Sequence, residues 1–167
     1  MGVVVVSWEP ARGNLAWRSL GGRVSDGQHD HVGGHRSPRS VEVRVAAKLE
    51  NLAVLRTVVG AVGTYEDLDF DSVADLRLAV DEACTRLIRS ATPDATLVLV
   101  VHPLEEQLVV DVSTSCSSPD IVVPGSFSWH VLSSLTDEVS TFHDGHGPED
   151  SQVFGISMTT RRASSLR

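Results

Sequence analysis

From Val41 the chain alternates, with Val41, Val43, Val45 and Ala47 set between Glu42, Arg44 and Ala46, the two-residue period of a strand with one buried face. The period then lengthens. Leu52, Leu55, Val59 and Val62 recur at helical spacing, which predicts a helix from about Leu49 to Val62 with Gly63 as its terminator. A second helix is predicted behind Asp71 as N-cap, carrying Val73, Leu76, Val80, Cys84, Leu87 and Ala91 on one face until Pro93 forbids continuation. Thr96 to Val101 is a continuous apolar run suited to a central strand, and Leu108 to Ser113 alternates, with Pro103 to Gln107 turning between them. Beyond an irregular stretch with Pro119 and Pro124, Ser126 is placed to cap a short helix through Leu135 that carries Trp129, Leu132 and Leu135 inward. Strands over about Glu138 to Phe142 and Val153 to Thr160 complete the pattern, joined by the Gly/Asp/His-rich loop His143 to Ser151.

This order predicts an α+β fold: a two-layer sandwich in which a mixed β-sheet carries the helices on one face, the economical way to bury those stripes. Residues 1–40 show no sustained period of either kind and contain Gly21-Gly22, Gly33-Gly34 and Pro38, so they are expected to be a disordered extension. Residues 41–161 then form the domain and 162–167 a short tail. His29, His31 and His35 in the extension are expected to be solvated, since no helix or turn fixes them as ligands.

Charge narrows the partners. The chain of 167 residues has a net charge of −8, unevenly spread: residues 1–40 hold five arginines against three acids, which leaves nine basic against nineteen acidic residues on the remainder. Such a surface repels phosphate backbones and suits a basic protein partner, so no nucleic-acid partner is expected. The two cysteines, Cys84 and Cys116, form no spaced framework and no zinc ligand set, which points to a reducing compartment and no metal. With no apolar stretch of membrane-spanning length, and with Val3 to Val6 lacking the flanks of a signal peptide, a cytoplasmic location without membrane contact is expected.

At Asp81-Glu82-Ala83-Cys84-Thr85 the chain resembles the anti-sigma factor serine kinases of the histidine-kinase-type (GHKL) ATPase superfamily, and the match in element order runs from about Val41 to Arg161. Glu50 to Arg56, Asp75 to Ala91 and Gly125 to Leu132 are similar to the mycobacterial-type anti-sigma-F factors. The resemblance implies a histidine-kinase-like ATPase fold, a homodimer built on the first strand or the sheet edge it creates, and two protein partners: an alternative sigma factor and an anti-anti-sigma antagonist.

Active relatives carry a general-base glutamate on the second helix and, one turn later, an asparagine that binds Mg²⁺. Glu82 takes the base position, but Arg86 stands at the asparagine position, and a guanidinium has no lone pair to offer a metal. Two readings of Arg86 remain: an i,i+4 ion pair with Glu82, or a grip on a nucleotide phosphate in place of the metal. The family's adenine-recognising aspartate and its companion glycine correspond to Thr114 and Cys116, and two glycines of the phosphate-cradling turn correspond to Ser126 and Ser128. The stretch from Asp120 to Gly125, where relatives carry a lid, is short.

The expected function is therefore sequestration of a sigma factor, with kinase activity lost or weak and no cofactor required. Two alternatives stand beside it: an active kinase that phosphorylates the antagonist, and a sensor that binds ATP without turnover. On the first helix Arg56 corresponds to an arginine that relatives use as a shared partner contact; its plainer reading is an ordinary exposed arginine. Cys84 is expected in the core, and Cys116 in an irregular loop as an inert thiol. His143 and His146 lack further ligands, Trp129 reads as core filler, and Ser113, Ser115, Ser117 and Ser118 lack a histidine and acid to activate them.

Overall fold

A computed structural model describes residues 5–8, 39–117, 122–144 and 152–163. The elements run β1 (Val5–Trp8), β2 (Val41–Ala46), a 3-10 turn (Leu49–Asn51), α1 (Leu52–Tyr65), α2 (Phe70–Ser90), β3 (Thr96–Pro103), β4 (Gln107–Cys116), α3 (Phe127–Leu135), β5 (Glu138–Asp144) and β6 (Gln152–Arg161). The strands make one sheet in the order β1-β2-β3-β4-β6-β5.

The expected mixed sheet is corrected: every described pairing is antiparallel. The helix count explains this. Between β2 and β3 the chain makes two helices, α1 and α2, which return it to the end of the sheet it left, so β3 runs back along β2. Between β4 and β5 it makes one helix, α3, which sets those two strands in the same direction, but β6 inserts between them and opposes both.

Among the described residues the helices cover one face of the sheet, so burial alternates along β2, β3 and β4. Val43, Leu97, Leu99, Val110, Val112, Ile156 and Met158 are fully buried against Leu55 and Val59 of α1, Leu76, Val80, Cys84 and Leu87 of α2, and Leu132 of α3. β3 is longer and more strictly alternating than its apolar run predicts, with Val98, Val100 and His102 half-buried on the far face. There His102 Nε2 lies 3.2 Å from Asp111 Oδ2 and His102 Nδ1 lies 3.1 Å from Ser40 Oγ, which joins β3, β4 and the entry to β2.

Several boundaries differ from the sequence expectation. The N-cap of α2 is Asp69, not Asp71: its Oδ1 accepts from Ser72 N at 2.9 Å, so the helix starts at Phe70 and Asp71 falls in the first turn. Gly63 does not terminate α1 but sits buried within it, where a Cβ would lie 3.2 Å from Val73 Cγ2 of α2. The chain leaves that helix through Asp67, at φ 58°, in the left-handed region. Behind this turn, buried Glu66 is gripped from both sides, by Arg39 Nη1 at 3.1 Å and Arg162 Nη2 at 2.6 Å.

β1 is a finding within the stretch for which no strand is predicted. Its four residues pair with β2, so the edge of β2 is occupied and the outer edge of the sheet belongs to β1. Residues 9–38, with His29, His31 and His35, lie outside the described residues, as do Ser118, Asp120 and His146. Among the described residues no helix is long and apolar enough to cross a membrane.

Candidate functional site

The site grows from α2. Its buried stripe holds the helix on the sheet, so the residues a turn apart on the outer side, Glu82 and Arg86, face α3. Across from them α3 begins at Ser126, whose Oγ accepts from Trp129 N at 3.2 Å and fixes the first turn. This cap places Ser128 over α2. The Ser128 hydroxyl donates to Glu82 Oε1 at 2.7 Å, and Arg86 Nε donates to the same oxygen at 2.9 Å.

Three of the expected site residues, Glu82, Arg86 and Ser128, are thus brought together, with Ser126 holding the turn that carries one of them. Burial alone would push the Glu82 carboxyl up; the Ser128 hydroxyl and then the Arg86 guanidinium outweigh it and hold the group below its ordinary value. A carboxylate stabilised in this way is a poorer proton acceptor than a free one.

Thr114 and Cys116 are placed differently from the expectation. Cys116 is not in a loop: β4 extends through it, it pairs with Gln152 and bridges to Ala91, and its side chain is buried. Burial pushes its thiol up to about 11, so it stays protonated at neutral pH. Thr114, also buried, donates its hydroxyl to Thr96 O at 2.9 Å. Neither residue presents the charged acceptor that an aspartate offers an adenine amino group, and both side chains are buried. Cys84 is a core residue, as expected, with its thiol raised by burial and then by the charge of Asp81.

The residues around Glu82 offer Mg²⁺ a poor ligand set. The position one turn after Glu82 carries a cation, and the carboxylate oxygen facing α3 already accepts two hydrogen bonds from protein. Among the described residues no group of three or more His, Cys, Asp or Glu is placed to hold a metal.

Arg56 projects from α1 to α2, its Nη1 3.0 Å from Asp81 Oδ2, with 42% of its side chain exposed. It is an ion-paired arginine on an accessible helix face. Sequence reasoning gave no role to its partner, nor to the open groove of about 460 Å³ between α2 and α3 that Asp81 lines with Leu78, Glu82, Thr85, Val131, Ser134 and Leu135. A signal was present: Leu78 is apolar yet falls outside the buried stripe of α2.

Residues 45–149 match the family model of the histidine kinase-like ATPase domain. The chain is similar to the anti-sigma-F factor RsbW of Mycobacterium tuberculosis (strain ATCC 25618 / H37Rv), with 60% identity over 157 residues, which cover 93% of this chain and 94% of that protein. More distant relatives are the serine-protein kinase RsbW of Halalkalibacterium halodurans, 29% identical over 50% of this chain and 52% of that protein, and the serine-protein kinase RsbW of Bacillus cereus (strain AH187), 23% identical over 62% and 78%.

Proposed function

This chain belongs to the histidine kinase-like ATPase family, in the branch that holds the anti-sigma-F factors, and from that premise we propose that it binds and sequesters an alternative RNA polymerase sigma factor in the cytoplasm. An anti-anti-sigma antagonist releases the sigma factor by competing for the same surface, and the chain acts as a homodimer. The contact that carries the reading is the double hydrogen bond on Glu82 Oε1, which turns the position of a general base into a structural junction between α2 and α3. Partner binding then needs no nucleotide. Copurification tests it: the chain should hold one sigma factor, without added ATP, and block transcription from that factor's promoters. A chain that copurifies with none, and leaves transcription unchanged, defeats the proposal.

The kinase reading has its own support in the names of the more distant relatives. Incubation with Mg-ATP and the antagonist separates the two. Stoichiometric phosphoserine on the antagonist would establish the kinase, whereas its absence, with sigma-factor binding intact, is the result expected. Titration calorimetry with ATP, with and without Mg²⁺, tests the nucleotide-sensor alternative through the Arg86 guanidinium.

A further inference from the structure

Closing the space around Glu82 leaves the neighbouring groove open. Its apolar lining is Leu78, which is 56% exposed, with half-buried Val131 and Leu135 across from it. Its polar lining is Asp81 and Glu82, each paired to an arginine, with Thr85 and Ser134. Asp81 Oδ2 is engaged by Arg56, and the other oxygen, Oδ1, is buried without a hydrogen-bond partner. Asp71 and Asp75, both exposed, stand on α2 at helical spacing from Leu78, so an acidic track runs along the helix into the apolar groove.

We propose that this groove, rather than α1 alone, docks an amphipathic helix of the sigma factor that carries apolar anchors flanked by lysine or arginine. The inference rests on the sigma-factor reading above and adds the surface and the chemistry to it. Charge complementarity selects the occupant: exposed Asp71 and Asp75 lead along α2 into the groove, disfavour an acidic segment and favour a basic one. Shape points the same way, because a cleft between two packed helices receives a third helix with its side chains at i, i+3, i+4 and i+7, whereas a strand would find no edge to pair with there. Asp81 also explains why Arg56 belongs to the surface: the two side chains share one ion pair, so a partner that engages either one disturbs both.

The test uses the full chain and the purified cognate sigma factor. Leu78→Asp should lower affinity at least tenfold, with Leu78→Met near wild type, since the side chain is more than half exposed and its replacement leaves the core intact; a circular-dichroism melt checks this. Asp81→Asn should weaken binding and flatten its dependence on salt. A photo-cross-linking residue at exposed Ser134 should capture a sigma-factor peptide with two or more basic residues at helical spacing, and the same probe at exposed Glu105, on the β3–β4 turn, should not. A complex that Leu78→Asp leaves within twofold of wild type, or that cross-links from Glu105 and not from Ser134, overturns the groove while sparing the sigma-factor reading. Failure of the wild-type chain to bind any sigma factor overturns both.

Discussion

The two seams on either side of α2 are built on opposite principles. Toward α1 the helices close by small residues: a Cβ on Gly60 would lie 3.1 Å from Arg77 Cδ, and one on Gly63 would lie 3.2 Å from Val73 Cγ2. Leu55 and Val59 are fully buried behind them. Toward α3 the helices meet through a serine hydroxyl on a carboxylate, and beside that contact the groove stays open. The first seam is closed and packed by volume, with the Arg56–Asp81 ion pair at its accessible side; the second is open and held by hydrogen-bonding groups. One helix therefore serves as a structural wall on one side and as a working surface on the other, and substitutions in the two seams should fail in different ways.

The closed seam should break hardest. Leu55→Ala removes a fully buried side chain from α1 and is expected to cost about 2–5 kcal/mol, read as a lower denaturant midpoint with an unchanged slope. On the open side the largest loss should come from the cap: Ser126→Ala leaves Trp129 N without its acceptor and should cost about 1 kcal/mol by the same measurement. Ser128→Ala should come close to it, at about 1 kcal/mol, since its hydrogen bond goes to a charged but part-exposed carboxylate that keeps Arg86, and its effect should depend on pH. Glu82 is held below its ordinary value of 4.5, so the stabilisation it draws from Ser128 is complete above that pH and is lost as pH falls through the lower folded value. The gap between wild type and variant should accordingly narrow in acid; a gap that widens there would reverse the assignment. Arg56→Ala should move stability least, by a few tenths of a kcal/mol as for exposed ion pairs, while lowering sigma-factor affinity about tenfold. Unchanged affinity would remove Arg56 from the docking surface.

The same contrast governs what could be read from the chain in advance. The buried parts were legible because burial imposes a period: the stripe Leu76, Val80, Cys84 and Leu87, and the alternation Val41, Val43 and Val45, appear in space as they appear in sequence. Strand direction was not legible, because it depends on β6 inserting between β4 and β5, a pairing between residues far apart in the chain. Nor was the reach of β4. Thr114 and Cys116 continue its two-residue burial, but the run Ser113 to Cys116 lacks the large apolar residues that announce a strand. Asp69 and Asp71 are chemically equal as caps, and only the hydrogen bond to Ser72 N decides between them.

For the site, the motif on α2 located Glu82 and Arg86, and the i,i+4 ion pair was readable from spacing alone. That Ser128 would complete the contact required the fold, since it stands 46 residues away. The groove was missed for a related reason. It is a space between two helices, and a periodicity argument describes the surface of one helix at a time.

The junction at Glu82 also has an energetic consequence. Hydroxyl, guanidinium and carboxylate satisfy one another, so any group that claims the Glu82 oxygen must first displace bonds that join α2 to α3. Exchanging Arg86 alone strips the carboxylate of its cation, and exchanging Ser128 alone strips it of its hydroxyl; either step loses stability. Mutual satisfaction of this kind makes the three side chains a single unit, to be exchanged together or not at all.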